Sequence, residues 1–263
     1  MFTHNFSPIL FDLGFFSLRW YSLAYIIGII FGWWYGKKII IQKFYPIDSE
    51  INKKFDDLIT YIIFAIIIGG RVGYVIFYNL EFYLYNPIDI LKIWKGGMSF
   101  HGALIGIIFV TYIFSIKNNL KTFFLLDVIA CVAPVGIFFG RIANFINGEL
   151  VGKVSNVPWS VIFPLIDMFP RHPSQLYEAI LEGLILFLLL NFVINKKNYI
   201  TGKCSYLFLI AYGVLRIISE FFREPDAQIG YFFGLISMGT LLSLIMILFG
   251  FIVIFNLKNR NEI

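Results

Sequence analysis

Residues 122–146, TFFLLDVIACVAPVGIFFGRIANFI, run for 25 positions with only two ionisable side chains, Asp127 and Arg141. Crossing about 30 Å of hydrocarbon takes roughly 20 helical residues, so this stretch is long and apolar enough to span a membrane. Working outward, six further stretches qualify, near 18–36, 58–79, 98–116, 175–194, 204–222 and 229–256. The composition agrees: of 263 residues, 59% are hydrophobic, 19% aromatic and 14% charged, against about 25% charged in a typical soluble domain. A disordered chain, a disulfide scaffold and a soluble enzyme are thereby excluded. The sequence predicts an all-α integral membrane protein with seven transmembrane helices, residues 1–263 forming a single polytopic membrane domain.

Orientation follows from the cations in alternate connections. The N-terminal segment and connections 80–97, 147–174 and 223–228 carry six: Arg19, Lys92, Lys95, Lys153, Arg171 and Arg223. The other set carries twelve: Lys37, Lys38, Lys43, Lys53, Lys54, Lys117, Lys121, Lys196, Lys197, Lys203, Lys258 and Arg260. This bias predicts an N-terminus outside and a C-terminus in the cytoplasm, so the two long connections face outward. Residues 87–95 alternate apolar and charged side chains and are expected to form a helix lying in the outer interface. Residues 147–174 are expected to form an outer-face loop or lid. No basic segment with a short apolar core and a small-residue cleavage site opens the chain, so the first span is expected to serve as the insertion signal. Cys131 and Cys204 are 73 residues apart in apolar surroundings and are expected to be buried packing residues.

The ionisable residues within spans are Arg71, His101, Asp127, Arg141, Glu178, Glu182, Arg216 and Glu220. An Arg or Asp at mid-helix costs roughly 2.5–3.5 kcal/mol on insertion scales, so these must face protein or water. With the predicted orientation, nearly all fall at the depth of the outer leaflet, and only Asp127 falls on the cytoplasmic side. A conduction path needs polar groups through the full thickness, whereas chemistry on lipid headgroups needs them at one depth. Gly69-x3-Gly73, Gly102-x3-Gly106 and Gly136-x3-Gly140 are small-residue pairs that allow close helix approach beside Arg71, His101 and Arg141.

Each residue has a plainer alternative. Arg141 and Arg216 can fork two hydrogen bonds to a phosphate. Arg216 could instead pair with Glu220, because Tyr212, Arg216 and Glu220 are spaced by four on one helix face. Arg71 is expected to be a packing or pairing residue, and His101 could be a structural hydrogen-bonder. Glu178 and Glu182, also spaced by four, repel, so one should face an Arg or hold a proton. Asp127 is expected to cap or pair locally. No His or Cys group has metal-ligand spacing, and H-E-x-x-H, G-x-S-x-G and P-loop patterns are missing, so no metal or cofactor is expected.

The run GRIANFINGELVG at 140–152 resembles the signature of the bacterial prolipoprotein diacylglyceryl transferases. GGRVGYVIFYN from Gly69, GGMSFHGALIG from Gly96, RHPSQLYEAILEG from Arg171 and AYGVLRIISEFFREPDAQ from Ala211 resemble the same family, in its order. The resemblance covers about Trp20 to Met238. It implies transfer of a diacylglyceryl group from phosphatidylglycerol to the thiol of the lipobox Cys in a prolipoprotein signal peptide, forming a thioether and releasing glycerol phosphate. It implies a place in the bacterial cytoplasmic membrane with the active site toward the outer leaflet. By position, His101, Arg141, Tyr212 and Arg216 match essential residues of the family; Tyr21, Asn144, Asn147, Glu149, Glu220 and Arg223 match residues that line or support the substrate site. Ala103 and Ala143 stand where the family often has Gly, and the loop 153–171 is short beside many relatives. Two other classes compete with this reading: a membrane transporter, which would need polar lining in both leaflets, and a non-catalytic headgroup-binding protein, which would need paired arginines but no His and Tyr beside them.

Overall fold

Apolar runs punctuated by glycine and short polar connections give eight helices among the described residues. The computed structural model describes residues 2–14, 17–43, 49–225, 230–232 and 234–259. The helices are α1 (Trp20–Lys43), α2 (Ser49–Tyr78), the short α3 (Leu80–Tyr85), α4 (Phe100–Lys117), α5 (Thr122–Asn147), α6 (Ser174–Ile194), α7 (Lys203–Glu220) and α8 (Met238–Asn259). Six of them, all but α3 and α7, are long and apolar enough to cross a membrane. The fold is that of an all-α, multi-pass membrane protein. The expected span at 204–222 coincides with α7, which carries Lys203, Arg216 and Glu220 in its 18 residues and is therefore less apolar than the six.

Two expectations are corrected. The seventh span was placed from 229, but α8 begins at Met238. Residue 229 itself and Arg260 lie outside the described residues. Before α8, strand β6 (Tyr231–Phe232) pairs antiparallel with β7 (Ile236–Ser237). Gly234, at φ +72°, supplies the positive φ for the turn. The hairpin residues are apolar, so hydropathy alone runs them into the helix.

The second correction concerns residues 87–95, which form two 3-10 turns, Pro87–Leu91 and Ile93–Lys95, rather than one helix. Lys92, at φ −83° and ψ 64°, leaves helical geometry between them, and the turns close through bonds from the Lys92 N–H to the Asp89 carbonyl at 3.2 Å and from the Gly96 N–H to the Ile93 carbonyl at 3.1 Å. The Arg71 guanidinium holds this shape, donating to the carbonyls of Asp89 at 2.7 Å, Ile90 at 2.8 Å, Gly96 at 2.5 Å and Gly97 at 3.1 Å. The guanidinium also lies 5.1 Å from the Tyr83 ring centroid. Arg71 is thus a structural residue, as expected, that closes the connection between α2 and α4.

The chain divides into two compact units, Lys37–Leu126 and Met1–Gly36 with Asp127–Ile263. In the first, α2 packs on α4 through glycines. A Cβ at Gly69 would lie 2.6 Å from the Gly102 carbonyl, and one at Gly102 would lie 2.6 Å from the Gly73 Cα. Ser99 caps α4, its hydroxyl accepting from the Gly102 N–H at 3.2 Å.

In the second unit, α1 and α5 meet where a Cβ on Gly28 would fall 2.9 Å from the Gly136 Cα. The segment after α5 builds a small sheet: β4 (Val161–Ile162) pairs parallel with β1 (Phe2–Thr3) and antiparallel with β5 (Pro170–Arg171). Its core is Val151, Val161 and Phe163. Buried His4 closes it, Nε2 lying 2.8 Å from the Phe145 carbonyl oxygen. Asp127, fully buried, accepts from the Gly202 N–H at 2.5 Å, the Ser205 N–H at 2.6 Å, the Ser205 hydroxyl at 2.5 Å and the Tyr199 hydroxyl. It caps as expected, but caps the start of α7 rather than its own helix, satisfying donors that a helix N-terminus leaves open. Cys131 and Cys204 are both buried, and each thiol points to the Leu190 carbonyl at 3.7 Å.

Two predictions follow from these contacts. Gly102→Ala forces backbone apart between α2 and α4 and should lower stability by about 1–3 kcal/mol, read as a drop in thermal midpoint in detergent; an unchanged midpoint would contradict the packing. Hydrogen bonding from Arg171 holds the Asp167 carboxyl below the usual carboxylate range. A depressed folded value contributes stability that is fully present above the unfolded value, about 4, and is lost as pH falls through the folded one. The protection of amides across residues 167–172, with exchange rates divided by their intrinsic values at each pH, should therefore fall on acidification below that range, and Asp167→Asn should show the lower protection already at pH 7.

Candidate active site

Three helices of the second unit each deliver acidic or basic groups to one end of their bundle. Arg141 lies near the C-terminal end of α5, Glu178 and Glu182 near the start of α6, and Arg216 and Glu220 at the end of α7. Helix α6 departs from α-geometry here, with a π-helical segment at Ala179–Ile185 that includes Glu182. Such segments are frequent at functional sites. Gly183 within it lets Phe138 of α5 approach, since a Cβ there would lie 2.8 Å from the Phe138 Cα.

Glu178 is the hub. Its carboxylate accepts from Arg141 Nη1 at 2.9 Å, from Arg216 Nη1 at 2.9 Å and from Arg223 Nη1 at 3.3 Å. Glu182 accepts from Arg141 Nη2 at 3.2 Å, Arg216 Nη1 at 3.2 Å and the Ser219 hydroxyl at 3.0 Å. Glu220 accepts from Arg216 Nη2, one turn away on α7, and from the Ser237 hydroxyl at 2.7 Å. Among the described residues, three carboxylates thus stand against three guanidiniums. Both Glu178 and Glu182 are fully buried and both face arginines. Of the two alternatives that their spacing left open, the geometry shows the first: each faces arginines.

Tyr212, 1% exposed, lies on α7 one turn before Arg216 and within the electrostatic field of Glu182, Arg141 and Arg216. Beside Arg141 on α5, the Asn144 amide donates to Glu149 Oε1 at 2.8 Å, and the Asn147 amide donates to the same oxygen at 3.1 Å. The Gln175 amide donates to the Glu149 carbonyl at 2.7 Å, tying this turn to α6. Tyr21 packs against Tyr25 with ring centroids 5.1 Å apart, and Tyr25 lies in the field of Arg141 and Glu149. Arg223 follows α7, where its backbone bridges to Gly152.

The second unit thus gathers Arg141, Tyr212, Arg216, Glu220 and Arg223 around the two glutamates, with Asn144 and Asn147 further along α5 and Glu149 just past its end. His101 belongs to the other unit. There it is buried in the first turn of α4, edge-on to Phe100 at 5.4 Å and next to the glycine contact with α2. Sequence reasoning left Glu178 and Glu182 out of the site. The signal that could have placed them was the like-charge pair at four-residue spacing in an otherwise apolar helix. Tyr25, Ser219 and Ser237 gave no such signal, being ordinary residues near a helix end or in a turn.

Arginines held by buried carboxylates can present remaining N–H donors to an oxyanion without first being drawn from water. Arg141 spends Nη1 and Nη2 on the glutamates and keeps 15% side-chain exposure, more than any other member of the ion-pair cluster with a stated side-chain value.

Residues 8–256 match the family described as prolipoprotein diacylglyceryl transferase. A phosphatidylglycerol–prolipoprotein diacylglyceryl transferase of Rickettsia bellii is 50% identical over 260 residues, 98% of this chain and 97% of that protein. Its namesake in Rickettsia typhi is 50% identical over 263 residues, 99% of this chain and 100% of the relative. One from Ehrlichia canis is 50% identical over 247 residues, 92% and 93% of the two chains. With the match running through every element that builds the charge cluster, the chain belongs to the prolipoprotein diacylglyceryl transferase family.

Proposed function

We propose that this chain moves the diacylglyceryl group of phosphatidylglycerol to the lipobox Cys thiol of a prolipoprotein signal peptide, and that the Arg141–Arg216 cluster handles the phosphate. The observation that carries this reading is a part-exposed guanidinium, Arg141, set in a buried and charge-compensated cluster at one end of α5–α7. The names of the relatives supply the substrates; the cluster supplies groups suited to them. In the reaction the glyceryl carbon–oxygen bond breaks as the sulfur–carbon bond forms, and the ester oxygen leaves with the electron pair on the phosphate. Preorganised guanidiniums stabilise that growing charge in a site of low dielectric.

The attacking sulfur must lose its proton, because the thiolate is the nucleophile. His101, or Tyr212 with it, takes or relays that proton. Asn144, Asn147 and Glu149 hold the glycerol side of the site beside Arg141, with Tyr21, Glu220 and Arg223 supporting it. In this reading the chain spans the bacterial cytoplasmic membrane seven times with the N-terminus outside, an orientation the cation bias of the connections supports, and residues 147–174 lie over a site at the outer leaflet.

Purified protein in detergent, given phosphatidylglycerol and a lipobox peptide, should add a diacylglyceryl mass to the peptide and release equimolar glycerol phosphate. Arg141→Ala should lower turnover by about 10²–10³-fold, and Arg141→Lys should not restore it, because an ammonium lacks the guanidinium fork. Lipid binding without mass gain by folded wild type would overturn the reading. His101→Ala should lose transfer at neutral pH; near-normal turnover would remove His101 from proton transfer.

A further inference from the structure

Resting on the phosphate reading above, we infer that Glu182, with Glu178, is a positioning residue that sets the charge of the arginine cluster so that the phosphomonoester product is released. Neither glutamate was a predicted site residue, yet both are fully buried and between them touch Arg141, Arg216 and Arg223.

Substrate and product differ in charge. Phosphatidylglycerol presents a phosphodiester with one negative charge. Once the glyceryl carbon–oxygen bond breaks, the leaving group is a phosphomonoester carrying about −1.5 to −2 near neutral pH. Three uncompensated guanidiniums in a poorly solvated site would hold the second species more tightly than the first, and the product would block the site. Among the described residues, Glu178, Glu182 and Glu220 each set a carboxylate against these guanidiniums and offset their charge. Glu182 does this while fixing two arginines at once, through Arg141 Nη2 and Arg216 Nη1. Its placement on the π-helical segment, with Gly183 seated against Phe138, holds the carboxylate against both guanidiniums. The pair thus orients the donors and limits how strongly they retain a doubly charged anion.

The test uses Glu182→Gln, which keeps shape and removes one charge. Glycerol 1-phosphate is titrated as an inhibitor of wild type, Glu182→Gln and Arg141→Lys, and the first turnover is resolved from steady state. For Glu182→Gln the product inhibition constant should fall on the order of tenfold or more, the ratio that separates affinities by one decade of charge compensation. Steady-state turnover should fall while the first-turnover burst persists. A merely structural role would depress burst and steady state together and leave product inhibition unchanged or weaker, and that result overturns the inference. If Glu182→Gln does not fold, Glu178→Gln is read in the same way. Failure of the underlying phosphate reading is distinguishable: product inhibition of the wild type would then be insensitive to Arg141→Lys.

Discussion

The carboxylate of Glu178, buried and bonded to three guanidiniums, is the interaction on which the functional half of this protein depends. It joins residues that enter from α5, α7 and the segment after α7 to a single point on α6. A lone buried charge would be costly, and removing one partner of such a group leaves the others uncompensated. The arrangement is therefore cooperative: the arginines need the glutamates to sit at this depth, and the glutamates need the arginines. Glu182, Ser219 and Ser237 extend the same network, so each of the three carboxylates has more than one donor.

The ends of the bundle divide the work. At the far end of α5 and α7, Asp127 fixes the first turn of α7 through four donors on Tyr199, Gly202 and Ser205. Fourteen residues separate Asp127 from Arg141, about 21 Å of helix at 1.5 Å per residue. A carboxylate at one end thus anchors the helix whose other end carries Tyr212, Arg216 and Glu220. In the other unit, Arg71 spends its charge on backbone carbonyls rather than on a ligand, which shows how alike residues in apolar spans separate into structural and site roles by what they touch.

Much of this was legible in the sequence. Length and hydropathy located the helices because an apolar run in lipid has little alternative to a helix. They failed at 229–237, where apolar residues form a hairpin, since a turn is set by glycine backbone freedom and not by hydrophobicity. They failed again at 87–95, where Lys92 leaves helical geometry and Arg71, far in sequence, binds the carbonyls beside it. The residues Arg141, Arg216 and Glu220 stood out by their polarity against apolar surroundings. Which partners they take did not, because the i,i+4 rule sees Glu220 beside Arg216 but cannot see Glu178 and Glu182 across the helix boundary. Asp127 shows the same limit: its capping role was readable, its target was not.

Pairing with the buried glutamates explains how three arginines can be buried together and still offer donors to an anion. The most direct test is solid-state NMR on protein carrying ¹⁵N-labelled arginine, reconstituted with phosphatidylglycerol. Dephasing between the lipid phosphorus and the guanidinium nitrogens, lost in Arg141→Lys, is the expected result. Bound lipid whose phosphorus shows no coupling to any arginine nitrogen would contradict phosphate recognition by this cluster.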